Sequence, residues 1–141
     1  MDIPPAATPI VCDMTTATDT EDERIGEYRR LFGEALIGRE RTPEGIRYRF
    51  RATSGVEARV RNLAAREKAC CAFLGYDVSR AGDEVVWDLA VPDDDLARAI
   101  LDEFYALPDT LIETFDDLRE RFTQRGLEII STGNVHRVRT S

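Results

Sequence analysis

Polar and apolar positions change period several times along the chain, and each change marks an element. Residues 1–8 are rich in proline and alanine and read as a flexible lead-in. Over Pro9 to Met14 the two-residue alternation puts Ile10, Cys12 and Met14 on one face, which predicts a short strand. Thr20 opens a helix, with Glu23 three positions on as the second half of a capping box. Ile25, Tyr28, Phe32, Ala35 and Leu36 share one side of it, and the pattern fades near Gly38. Ile37 to Thr42, the turn residues Pro43-Glu44-Gly45 and the strict alternation of Ile46 to Arg51 predict a hairpin.

A second helix is expected from about Gly55 to Leu74, with Gly75 as its C-terminal stop. Tyr76 to Val78 and Glu84 to Leu89 form a second hairpin around Ala81-Gly82-Asp83. Asp93, Asp94 and Asp95 open a third helix that carries Leu96, Ile100, Phe104 and Leu107. Pro108 marks a boundary. Beyond it Leu111, Phe115, Leu118 and Phe122 follow helical spacing, with Thr110 and Glu113 as a further capping box and Gly126 as the stop. A last hairpin is expected over Leu127 to Thr140, around Gly133-Asn134.

These elements define an α+β fold: a mixed or antiparallel sheet of about five strands, in the order β-α-β-β-α-β-β-α, with helices packed on one face. Residues 9–107 form that domain, and residues 108–141 add a helix and hairpin.

Composition narrows the functional classes. With 43% apolar and 33% charged residues the 141-residue chain is globular in type, and its net charge of −8 argues against nucleic acid as a partner. No apolar run is long enough to span a membrane, and the N-terminus lacks a signal-peptide pattern, so a cytoplasmic location is expected. Eighteen of the 19 basic residues are arginine, Lys68 being the exception. The row Arg47, Arg49 and Arg51 reads as a solvated sheet face paired to acidic residues across strands. Three cysteines, an odd number, point to free thiols instead of a disulfide framework. The single histidine, His136, rules out a polyhistidine metal site and reads as a surface residue.

The least ordinary segment is Glu67 to Leu74. Stepping about 100° per residue from Val56, Val60, Leu63 and Leu74 form one apolar stripe, Glu67 falls about 20° from its centre, and Cys70 and Cys71 flank it. A carboxylate aimed into an apolar face is costly unless it is paired. Two thiols follow it at i+3 and i+4, and Cys12 sits on an inward strand face. Near a helix C-terminus and beside a carboxylate, the thiols are expected to rest protonated, which suits a nucleophile poorly. A soft ion displaces those protons by its own charge. Two or three thiolates satisfy Hg(II), As(III) or Cu(I), so the candidate metal ligands are Cys12, Cys70, Cys71 and Glu67, and a soft metal or metalloid ion is the ligand these residues suggest. Two other readings fit the same residues. One is a small thiol-dependent enzyme, a reductase or carbon–metal lyase. The other is a structural or regulatory homodimer with core cysteines.

Glu67-x-x-Cys70-Cys71-x-Phe73, behind an Ala/Leu/Arg-rich helix and ahead of a two-stranded hairpin, resembles an uncharacterised group of small bacterial proteins and domains marked by a Glu-x-x-Cys-Cys-x-Phe segment. Similar segments occur at the ends of some mercury-type, metal-responsive transcription regulators. The resemblance covers residues 9–107, with Cys12 matching an early strand cysteine, and implies a thiol-based role toward soft metals or metalloids. This chain shows no helix-turn-helix pattern, which speaks against direct regulation of transcription.

Overall fold

A computed structural model describes residues 3–4, 19–109, 115–124, 127–129 and 135–137. Helix α1 covers Glu21–Ala35 and starts with the expected capping box: Thr20 Oγ1 accepts from the Glu23 amide at 3.1 Å, and Glu23 Oε1 accepts from the Thr20 amide at 3.0 Å. Ile25, Tyr28, Leu31, Phe32 and Ala35 are its buried apolar positions. The helix does not fade toward Gly38. It stops at Ala35, and the chain passes directly into strand β1, Leu36–Arg41, because Leu36 is already extended and opposite Phe50.

Strand β2 is Gly45–Arg51, helix α2 is Val56–Cys70, and strands β3 and β4 are Gly75–Ala81 and Glu84–Ala90. All neighbours pair antiparallel, in the order β1-β2-β4-β3. The two hairpins are thus joined edge to edge through β2 and β4, and α2 is the connection between them. Among the described residues this sheet has four strands, not five; the expected first strand, Pro9 to Met14 with Cys12, lies outside those residues.

Alternation decides what each face of the sheet does. Ile46, Tyr48 and Phe50 of β2 and Val85, Trp87 and Leu89 of β4 point to the helical side and are almost wholly buried. They form one core with residues of α1, α2 and helix α3, Asp95–Ala106. The opposite face carries the arginine row. Arg47 sits directly across from Asp88 and bonds it at 2.7 Å, while Arg49 reaches Glu84 at 3.1 Å and Glu40 at 3.4 Å. That is the solvated, cross-strand-paired face expected from the sequence. On the inner side of β1, Arg39 and Arg41 stack over Tyr105 of α3, with guanidinium carbons 4.8 and 4.4 Å from the ring centre.

Geometry requires glycine at two positions of the hairpins. At Gly82, φ is +62°, the left-handed turn conformation of the β3–β4 hairpin. At Gly45 a Cβ would stand 1.8 Å from the Leu89 carbonyl oxygen, so only a hydrogen side chain fits beside β4.

The aspartate run is a helix start. Asp94 Oδ1 accepts from the amides of Leu96 and Ala97 at 2.8 and 3.1 Å, and Asp93 and Asp95 pair with Arg98. A 3-10 turn over Leu107–Asp109 follows, where Pro108 marks the boundary. Helix α4, Phe115–Gln124, lies against α1, and Arg121 bonds the buried Glu103 of α3 at 2.7 Å. Strands β5, Leu127–Ile129, and β6, Val135–Arg137, pair antiparallel as expected. The expected start of α4 at Thr110, Leu111 and Glu113, its stop at Gly126 and the hairpin turn at Gly133-Asn134 lie outside the described residues. No helix among the described residues is long and apolar enough to cross a membrane.

The second helix ends sooner than expected, at Cys70 and not Leu74, and Gly75 begins β3 instead of closing α2. Burial supplies the reason. Cys70, Cys71, Phe73, Leu74 and Gly75 are all buried, and a helix turning 100° per residue cannot hide so many near-consecutive positions on one side. The chain turns instead, with the Leu74 amide bonding the Cys71 carbonyl at 2.9 Å and Lys68 Nζ capping the Ala72 carbonyl at 2.7 Å.

Substituting Gly45→Ala is expected to lower stability by about 3 kcal/mol through the clash with β4. Urea unfolding monitored by circular dichroism checks this; an unchanged midpoint would contradict the close approach at Leu89.

Candidate functional site

Glu67 lies one turn before the end of α2 and is 7% exposed, pointing where its position on the apolar stripe places it. Its charge partner comes from α1. Arg24, 4% exposed, donates through Nη1 to Glu67 Oε1 at 2.7 Å. The same guanidinium forks onto Asp19, with Nε to Oδ2 at 2.6 Å and Nη2 to Oδ1 at 2.8 Å. Arg66 closes the outer side, reaching Asp19 at 3.1 Å and pairing with Glu27. Five charged side chains of α1, its lead-in and α2, Asp19, Arg24, Glu27, Arg66 and Glu67, are thus linked in one chain of ion pairs.

The thiols sit at the two ends of the Arg24–Glu67 pair. Cys70 Sγ is 3.9 Å from Arg24 Nη2, and Cys71 Sγ is 3.9 Å from Glu67 Oε2. Both are buried thiols. Neighbours on a regular helix diverge by about 100°, which would keep two sulfurs apart. Here Cys70 is the last helical residue and Cys71 has left the helix, at φ −121° and ψ 80°, so that restriction does not apply to the pair.

The aromatic wall beside this cluster has two unsatisfied donors. Tyr28 stacks on Trp87 with ring centres 6.1 Å apart and planes 10° from parallel. Tyr28 Oη and Trp87 Nε1 are buried without a hydrogen-bond partner. The Tyr28 hydroxyl nevertheless stands within reach of Glu67 and helps hold its carboxyl down, against the larger effect of burial.

Charge states follow from these contacts. Burial opposes the charge on Arg24, but Asp19 and Glu67 together outweigh it and hold the guanidinium above its ordinary range. Burial pushes the Glu67 carboxyl above its usual value, with Arg24 pulling back. Asp19 moves the other way, held below the ordinary carboxylate value by its bond to Arg24. Burial raises the Cys70 thiol, against the smaller pull of Arg24 toward the thiolate. Tyr28 is raised well above the ordinary phenol by burial, so at neutral pH it is a donor.

Of the sequence-derived candidates, Cys71 lies against Glu67, while Cys70 lies against Arg24. Cys12 lies outside the described residues, as does the side chain of His136, whose backbone is on β6. No group of three His, Cys, Asp or Glu side chains among the described residues stands ready to hold a metal ion. Glu67 has one oxygen committed to Arg24, and the two sulfurs are the soft donors beside it. The residue missed from sequence is Arg24. Its signal was present: Arg24, Tyr28, Leu31 and Ala35 follow helical spacing, so Arg24 sits on the apolar side of α1 just as Glu67 does on α2. Compared with known proteins, the chain matches no family model, no curated protein and no solved structure.

Arg24→Met leaves Glu67 and Asp19 without their shared partner and is expected to cost about 3–5 kcal/mol. Adding Glu67→Gln should return part of that loss, so the double variant is less destabilised than the sum of the single ones. Additive losses would mean the pair is not coupled. Asp19 has a lowered folded pKa, so its stabilising contribution is full above the unfolded value of 3.8 and is lost as pH falls through the lower folded value. The stability gap between wild type and Asp19→Asn should therefore shrink on acidification; urea midpoints at neutral and acid pH measure it.

Proposed function

We propose that this protein binds a soft metal or metalloid ion, such as Hg(II) or As(III), through Cys70 and Cys71, in buffering, detoxification or sensing of that ion. The observation carrying the reading is the pair of adjacent buried thiols where α2 ends, with the chain turning at Cys71. Nucleophilic catalysis is less well served. Cys70 lies in the last turn of α2, where the helix dipole disfavours a thiolate, and burial raises its thiol further. An arriving soft cation supplies the charge that lets both protons leave. Arg24 and Glu67 stay paired beneath the sulfurs and keep the helix end in place. Cys12 is the third donor expected from the sequence.

One observation favours a second reading, in which the cysteines only fill space: both thiols belong to the hydrophobic core, at 8% and 3% exposure. Native mass spectrometry of reduced protein, titrated with Hg(II), As(III), Cu(I) and Zn(II) against a competing thiol, separates the two. Retention of one soft ion by the wild type and its loss in Cys70→Ser/Cys71→Ser is the expected result. Equal retention by that double variant, or no retention by the wild type, returns the cysteines to the core.

A further inference from the structure

A cavity of about 630 Å³ lies between the β1–β2 turn, the β4–α3 connection and one side of α3, with Ile3 and Pro4 as a further wall. That size suits a small organic molecule. Val91, Pro92 and Leu101, all buried, give it an apolar lining. Its charged groups are two guanidiniums, Arg41 and Arg98, and three carboxylates, Glu44, Asp93 and Asp102. Both guanidiniums are matched. Arg41 bonds Asp102 at 2.9 Å and stacks on Tyr105, and Arg98 pairs with Asp93. The Glu44 carboxylate has no hydrogen bond or ion pair among the described residues, so the one charge left over is negative and belongs to it. The backbone that carries it is pinned. Thr42 and Gly45 exchange hydrogen bonds across the turn at 2.9 and 3.3 Å, and the Val91 amide donates to the Glu44 carbonyl at 3.4 Å.

We propose that this cavity binds a hydrophobic primary amine, with the ammonium group on Glu44, the apolar body against Val91, Pro92 and Leu101, and Ile3 as the outer wall. A carboxylate on a fixed turn, beside an apolar space whose other charges are balanced, complements a cation with an apolar body. An anion of the same shape meets a like charge at that position instead of a counter-ion. Glu44 is exposed, so its ion pair is worth only a few-fold in affinity and selects among ligands more than it tightens them. The site shares no residue with the thiol cluster and stands or falls apart from it.

The test titrates the isotope-labelled full chain at neutral pH with 3-phenylpropylamine, 3-phenylpropanol and 3-phenylpropionate, read from amide proton–nitrogen NMR spectra. The amine should shift the amides of Thr42, Glu44, Gly45 and Val91 and bind about two- to fivefold more tightly than the alcohol, with the carboxylate weakest. Glu44→Gln should bring the amine to the affinity of the alcohol and leave the alcohol unchanged. Ile3→Ser should weaken amine and alcohol by the same factor, because it removes apolar wall and no charge. Ile3 and Glu44 are both exposed, so neither variant should move the urea midpoint of the unligated chain. No shifts with any probe, shifts confined to amides away from this cavity, an alcohol or carboxylate that binds as tightly as the amine, or an unchanged amine affinity in Glu44→Gln overturns the proposal.

Discussion

The buried pair between Arg24 and Glu67 is the constraint on which this end of the molecule depends. Either charge alone would be expensive in a core lined by Tyr28, Leu63 and Phe73. Together they tie the early part of α1 to the last turn of α2, two elements separated by 43 residues at the contact itself. The fork of Arg24 onto Asp19 extends the tie to the residue just ahead of the Thr20 cap, and Arg66 secures Asp19 from α2. Helix capping, helix packing and thiol placement are thus parts of one arrangement. A buried ion pair is weak grounds for stability, since apolar residues of equal volume often do as well. Its value here is positional: it sets which face of the α2 terminus meets α1, and a sulfur lies against each end.

Much of the fold was legible because its periods are clean. The capping box at Thr20 and Glu23, the alternation of Ile46 to Arg51 and the aspartate start of α3 each have a local physical cause, and each appears where that cause predicts. The end of α2 was not legible, because helical spacing cannot distinguish a continuing helix from a buried turn when Cys70, Cys71, Phe73 and Leu74 are all apolar. Gly75 misled for a related reason, being equally suited to a helix stop and to the buried first position of the edge strand β3.

At the candidate site, spacing exposed Glu67 as an inward carboxylate but said nothing of its partner's origin. A pairing between two helices is a tertiary fact. The sequence contains the means to guess it, since Arg24 is the matching misfit on α1, but only if charged residues on apolar stripes are sought in pairs. The place of the Tyr28 hydroxyl beside Glu67 was beyond reach altogether, because tyrosine on an apolar stripe looks like ordinary core until the groups around it are known.

Trp87 is the only tryptophan of the chain, and it lies flat against Tyr28 with its ring nitrogen unbonded. Emission excited to the red of tyrosine absorption therefore originates at one interior point, next to Tyr28. An indole with no solvent contact and no hydrogen bond emits toward the blue, and its lifetime responds to heavy atoms placed nearby. The fold has in effect installed its own optical probe within one aromatic ring of the cysteines, and occupancy there can be followed in the unmodified polypeptide without any added dye.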